Sequence, residues 1–317
     1  MCRWGAALAL ASMLTSRVAL AEQAVEPSAP AEEETPRPTR AAPPRWRLFL
    51  GAPVTWRHYC ARPGVTSCNA FDTQPPESRV GAITDFDSRA PYVGVGAEVE
   101  LFPLADWQSP LRGVGLTLNY QRGFARTEVR TTSPVGSSPT RVVHATDTSY
   151  GGMLAYRYFF DLGKTGTPLW GYGGLRLGAL GRAFESNETG VEAPLPVVHR
   201  FFPAVGLDVS VPLMRAVRLE GAGQLFLQPT PGNTLGREDG SRAAEVRDYG
   251  TSVSSLGWAA ELGVAGELWG PFGYSARFRL ESFQDHFTGE GFRLGWLSGG
   301  VAEDTYSSIL AGVTAAW

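Results

Sequence analysis

Residues 305–317 read TYSSILAGVTAAW. In an extended chain, Ile309, Ala311, Val313, Ala315 and Trp317 fall on one side. Ser308, Gly312 and Thr314 fall on the other. This two-residue period is that of a strand with one apolar and one polar face.

Working back along the chain, the same period recurs from Arg45 onward. YVGVGAEVELF sets Val93, Val95, Ala97, Val99 and Leu101 against Gly94, Gly96, Glu98 and Glu100. FGYSARFRLES sets Phe272, Tyr274, Ala276, Phe278 and Leu280 against Ser275, Arg277, Arg279 and Glu281. Ten segments follow the rule, at 46–58, 91–103, 112–128, 147–161, 168–185, 198–212, 216–228, 254–268, 272–285 and 304–317. The connections 104–111, 162–167, 213–215 and 269–271 are short, whereas 59–90, 129–146, 186–197, 229–253 and 286–303 are long.

Soluble sandwiches also alternate, but their strands run about five or six residues. Ten residues at about 3.3 Å each, tilted by about 45°, span roughly 23 Å, close to the apolar band of a membrane barrel. Short turns at one end and long loops at the other are the plan of a transmembrane barrel. Trp46 and Trp56 bracket the first strand, and Trp107, Trp170, Trp269 and Trp317 gather at the short-turn end, as an interfacial girdle should. The expected fold is an all-β, antiparallel, up-and-down transmembrane barrel of ten strands over residues 45–317. The last strand pairs with the first and removes the sheet edge from hydrocarbon.

The segment before the barrel reads differently. Arg3, the apolar run Trp4–Leu14 and the small residues Ala19 to Ala21 read as a signal peptide over 1–21. Its removal takes away Arg3 and Arg17 and no acid, moving the net charge from −3 to −5. Residues 22–44, rich in Pro, Ala and Glu and free of aromatics, read as a disordered linker. Without a basic patch, nucleic acid is not an expected partner. Cys60 and Cys68, the pair left after cleavage, read as a disulfide in an exported protein. Lys164 is the only lysine. Arginine suits buried bidentate pairs, and a coding bias explains the same fact equally well. Asn187 opens a glycosylation-type triplet, discounted in a bacterial setting.

The final strand resembles the C-terminal signal of bacterial outer-membrane barrel proteins, alternating apolar residues that end in an aromatic. Trp317 stands where that family most often has Phe. The resemblance implies an outer-membrane location, with linker and C-terminus periplasmic. It also implies two partners, membrane lipid and the insertion machinery that reads Ile309, Ala311, Val313, Ala315 and Trp317.

The polar faces should point inward. They bring Arg47, Glu98, Glu100, Arg157, Arg176, Asp208, Arg218, Glu220, Glu261, Glu267, Arg277, Arg279 and Glu281 into the lumen, with Asn119, Gln121 and Gln224. Arg176 is assigned inward because a lipid-facing arginine at mid-depth costs about 2–4 kcal/mol. Acids and bases are mixed, and ten strands enclose a lumen little wider than side chains can fill. An ion-paired plug is the expectation, and a narrow porin-like channel for small solutes is the alternative.

Metal clusters, phosphate loops and nucleophile elbows are missing from the sequence, so no metal or cofactor is expected. Asp85 and Asp87, with Asp285 and His286, offer a carboxylate pair and an Asp-His pair near the long-loop rim, able in principle to hold a hydrolytic water. In strand number and these short patterns the chain resembles the omptins, outer-membrane proteases with acidic and Asp/His pairs near the rim. Here Asp285 and His286 are adjacent, whereas that family separates its pair by one residue. Solvated loop residues are the commoner meaning of such patterns. The functional expectation is a non-enzymatic scaffold whose five surface loops meet an extracellular ligand or partner, with a channel and a rim hydrolase as competitors.

Overall fold

Each alternating segment pairs antiparallel with the next, and the last pairs with the first, so the sheet has no free edge along its staves. The computed structural model describes residues 42–88, 90–129, 132–133, 136–137, 141–163, 168–186, 197–232 and 246–317. The segment read as a signal peptide, most of the one read as a linker, Lys164 and Asn187 lie outside the described residues. The ten staves are β1 (Trp46–Pro63), β2 (Tyr92–Leu101), β3 (Val114–Val129), β4 (Arg141–Asp161), β5 (Trp170–Ser186), β6 (Val198–Met214), β7 (Val217–Leu227), β8 (Ser252–Trp269), β9 (Phe272–Thr288) and β10 (Gly300–Ala316).

Registered partners can be followed once around the wall. From Tyr59 the path runs through Asp304, Phe283, Gly257, Phe226, Ala204, Gly178, Met153, Thr117 and Glu100, and returns to β1 at Arg47. The path closes twelve residues lower than it began. With ten strands, that shear corresponds to a tilt of about 40°, within the usual range for barrels.

The two faces separate as the period demands. Leu262 is 71 % exposed on the outside, in a belt with Leu154, Leu207 and Val313, whereas Phe283, on the inward face of β9, is 0 % exposed. An apolar exterior of this extent cannot rest in water and marks the fold as that of outer-membrane barrels. Ile309, Val313 and Trp317 lie exposed on the outer face, and Ser308 and Thr314 lie buried on the inner.

The seam between β1 and β10 runs through seventeen registered pairs. Near its middle Gly51 meets Gly312, where a Cβ on Gly312 would stand 2.1 Å from the Leu50 carbonyl oxygen, so only glycine fits. At its short-turn end the rings of Trp46 and Trp317 stack at 4.0 Å and 19°. The amides of Arg45 and Trp46 donate to the Trp317 carbonyl at 2.6 and 3.1 Å. Beside it the Arg45 side chain donates to Asp106. That hydrogen bond holds the Asp106 carboxyl below its ordinary value. Its contribution is therefore present above the ordinary carboxylate range and lost as pH falls through the lowered one.

Several boundaries differ from the sequence reading. β1 continues to Pro63, β4 begins at Arg141, and β10 begins at Gly300. The second stave is interrupted: Thr84–Asp87 pairs with His58–Ala61 of β1, and the chain then breaks pairing before β2. These extensions stand beyond the apolar belt, where small residues such as Ala61, Ala145 and Ala302 point inward and weaken the alternation signal. Trp170, expected in the outer girdle, faces inward instead and packs with Phe102, Phe159 and Tyr172. It shares the parity of Arg176, so the two side chains must choose the same side.

At the long-loop end, the chain after β1 turns back over the outer wall. Cys60 and Cys68 are disulfide-bonded, and the short helix Cys68–Asp72 follows. Arg62 ties this segment down through Asp72 at 2.9 Å and Asp85 at 2.7 Å. The chain before β10 enters the mouth, where Trp296 is wholly buried against Tyr249 and Phe287 and its Nε1 donates to the Ala82 carbonyl.

Two measurements follow from these contacts. Trp317→Ala should destabilise the barrel in detergent by about 0.5–1.5 kcal/mol beyond the lost area, seen as a lower thermal unfolding midpoint. The Trp46→Ala/Trp317→Ala double variant should lose less than the sum of the singles. Replacing Cys60 and Cys68 by Ser should cost about 2–3 kcal/mol on the chain-entropy account and should speed proteolytic nicking between residues 64 and 83.

Candidate functional site

Among the described residues many charged side chains converge in the lumen, and it is built in layers. In the layer nearest the short turns, Arg157 donates to Glu100 at 3.0 and 2.5 Å and to Asp208 at 2.8 Å. Its guanidinium also lies 3.9 Å from the Tyr172 ring centre and 4.6 Å from that of Phe102. Arg176 reaches the same Asp208 at 2.7 Å, and Arg47 reaches Glu220 at 2.9 Å. One step further in, Arg277 pairs with Glu98 at 2.9 Å and Glu261 at 3.1 Å, and Arg279 pairs with Glu281 at 3.1 Å.

An aromatic layer follows. Phe202, Phe226, Phe283 and Tyr306 interleave with centroid separations of 4.7–6.3 Å. Around and beyond it stand three buried arginines paired with carboxylates. Arg57 meets Asp304 at 2.8 and 2.9 Å. Arg182 meets Asp147 at 2.5 Å and Glu281 at 3.2 Å. Arg200 meets Asp285 at 2.8 and 2.7 Å. Each of these guanidiniums also lies against a ring: Arg57 on Phe184 at 4.0 Å, Arg182 on Tyr306 at 3.3 Å, Arg200 on Phe283 at 4.7 Å. A planar cation hydrogen-bonded at its edge and stacked on its face is a geometry lysine cannot copy. Tyr59, Phe86, Tyr92, Phe184, Tyr249, Phe287 and Trp296 roof the stack.

Two cavities lie on the short-turn side of the aromatic layer. A cavity of about 110 Å³ opens there, lined by Arg47, Trp170, Tyr172, Arg215, Arg218 and Glu267 among others. A second space of about 40 Å³ lies deeper, between Glu98, Asn119, Gln224 and Arg277.

The inward set read from sequence faces this lumen, with Arg218 and Glu267 at its mouth. Sequence reading omitted Arg57, Asp147, Arg182, Arg200 and Asp304 from the lumen, although each shares parity with an inward residue of its own strand. They sit near the long-loop ends of the predicted segments, where charges were read as rim chemistry.

Asp285 belongs to the same group. It is a buried partner of Arg200 and also accepts from Ser255 Oγ at 2.6 Å. His286, one residue on, points to the outer face, registered between Ser254 and Val301. Asp85 and Asp87 alternate with inward-facing Phe86 and so lie on the outer face, Asp85 against Arg62. The four residues are therefore not brought into one constellation. Among the described residues, the one grouping of metal-ligating types is Cys60, Cys68 and Glu303, and both sulfurs are in the disulfide.

No family model and no curated protein sequence matches the chain. Among solved structures it is similar to the outer membrane protease OmpT from Escherichia coli, at 7 % identity and a TM-score of 0.42, over 88 % of this chain and 99 % of that one. It is also similar to the translocator domain of the autotransporter NalP from Neisseria meningitidis, at 13 % identity and 0.34, over 84 % and 87 %. The toluene transporter TodX from Pseudomonas putida follows, at 8 % identity and 0.28, over 87 % and 90 %. Likenesses this distant carry no activity from those proteins to this chain.

Arg200→Ala should leave Asp285 buried without its partner, a loss of about 3–5 kcal/mol. The paired replacement Arg200→Met/Asp285→Leu should recover most of it, as read from denaturant midpoints in detergent.

Proposed function

We propose that the protein is a sealed outer-membrane barrel that acts through its surface loops and not by passing solutes. The observation that carries this reading is the stack of ring-faced Arg–carboxylate pairs above the Phe202–Phe226–Phe283 layer, which fills the long-loop half of the lumen. A conducting filter is better served by rings of one sign. Here Arg47, Arg57, Arg157, Arg182, Arg200 and Arg277 each pair with a carboxylate, so the two signs are interleaved along the lumen.

In this reading the short turns and both chain ends face the periplasm, and the long loops face outward. The outer belt is covered by lipid, and the insertion machinery meets the chain through Ile309, Ala311, Val313, Ala315 and Trp317. The loops are suited to contact. Val80, Phe292, Leu294 and Leu297 are each at least 70 % exposed beyond the strand ends, close together through the Ala82–Leu294 backbone hydrogen bond. Exposed apolar groups clustered in this way mark interaction surfaces. Their expected counterpart is an extracellular ligand or partner.

Planar-bilayer conductance tests the seal. The folded protein should be silent, and Phe226→Ala/Phe283→Ala should leak. Discrete, reproducible steps in the unaltered protein would establish the narrow channel instead.

A further inference from the structure

Most lumen arginines are matched to carboxylates, and the cavity at the short-turn end is where the matching stops. Four stretches of chain border it between or before the staves: Pro43 and Pro44 before β1, Pro168 before β5, Arg215 between β6 and β7, and Pro271 between β8 and β9. Its volume is about 110 Å³. A closed cavity of about 150 Å³ holds a benzene ring, so an open space of this size admits one ring with its substituent at the mouth.

The side formed by β2, β4 and β5 is aromatic. Phe159 meets Phe102 and Tyr172 edge to face at 5.7 and 6.1 Å. Trp170 packs against this group. The Arg112 guanidinium lies 5.9 Å from the Trp170 ring centre and donates to the Phe159 carbonyl at 2.8 Å, which fixes the wall. Trp170 Nε1 is buried and has no hydrogen-bond partner among the described residues. A buried donor left unmade is costly, so the wall holds one donor that the fold leaves unused.

The side formed by β7 and β8 is charged. Arg47 and Arg157 also border the space, but they are committed to Glu220, Glu100 and Asp208. Arg215 and Arg218 are half-buried, and among the described residues neither side chain makes an ion pair or a hydrogen bond. Glu220, two residues from Arg218 on the same face, is held by Arg47 at 2.9 Å. Of the acids that line the space, Glu100 is held by Arg157, and Glu267 stands exposed at the mouth without an ion pair. The uncommitted charges are two guanidiniums against one carboxylate.

The geometry points to a binding site for a small organic anion, a carboxylate carried on a single flat ring. The ring sits among Phe159, Trp170 and Tyr172, and the carboxylate meets Arg215 and Arg218. Apolar walls for binding, with a few placed polar groups for orientation, are the build of a ligand pocket. A guanidinium presents a planar fork that matches a carboxylate. The inference goes beyond the proposed function. It needs neither a sealed lumen nor an active loop surface, so a conductance result leaves it standing.

The test is a fluorine NMR titration of 4-fluorobenzoate against the folded full barrel in a neutral detergent, at about pH 7, where the carboxylate is ionised. The expected result is saturable binding. Arg215→Gln/Arg218→Gln should weaken it by about tenfold or more. Glu267→Gln should tighten it, because the uncommitted acid is removed. Should the double variant not fold, Arg218→Gln alone should weaken binding, and the opposite sign in Glu267→Gln keeps the test decisive. Absence of saturable binding would overturn the proposal, as would affinities unchanged in the arginine variants. Equal binding of 4-fluorobenzyl alcohol would overturn it too, because the charge would then play no part. So would displacement by acetate at equal concentration, because the ring would then play none.

Discussion

A backbone amide in hydrocarbon finds no water, and every other feature of this molecule follows from that. The cost of an unpaired edge forces the sheet to close. Closure makes β10 meet β1, and it admits glycine alone at Gly312, where the two backbones approach. Closure also divides each strand into a lipid side and a lumen side with no exceptions at mid-depth. At mid-depth the lipid side holds apolar residues, so charged side chains there are driven inward.

What gathers inside would be costly in isolation, since a buried charge without a partner is worth several kcal/mol of destabilisation. The lumen meets this by composition. Arginine is almost the sole cation, and each of the deepest ones has a carboxylate at its edge and a ring on its face, as Arg57 has in Asp304 and Phe184. The even choice left by sequence between a structural and a coding origin for the arginine excess now has a structural side. Whatever set the codons, the geometry uses properties that lysine lacks.

The fold was legible because a period of two is a strong signal when one face must be apolar, and the same parity placed Arg47, Glu100, Arg157, Asp208 and Arg277 in the lumen. The parity rule was also sufficient for Arg57, Arg182 and Arg200, which it was not used to place. All three lie near the ends of predicted strands, where alternation fades into small residues. Asp285 shows the cost of that shortcut, because a residue read as rim chemistry is the buried partner of Arg200. Trp170 shows another, since an aromatic near a membrane interface was assigned outward by type when its neighbours in the strand assigned it inward. The interruption between Asp87 and Tyr92 had no legible signal, since it depends on how β1 twists against a stave two residues out of step.

The tilt has a further consequence. Arg47 on β1 reaches Glu220 on β7, Arg182 on β5 reaches Glu281 on β9, and Arg277 on β9 reaches Glu98 on β2. None of these pairs joins neighbouring staves. They exist only once the ring is whole, so an arc of strands lacks these cross-lumen partners even where neighbour pairs such as Arg182–Asp147 have formed. A strand inserted one residue out of register would present the wrong face to every partner across the axis at once, and the error would be felt throughout the barrel.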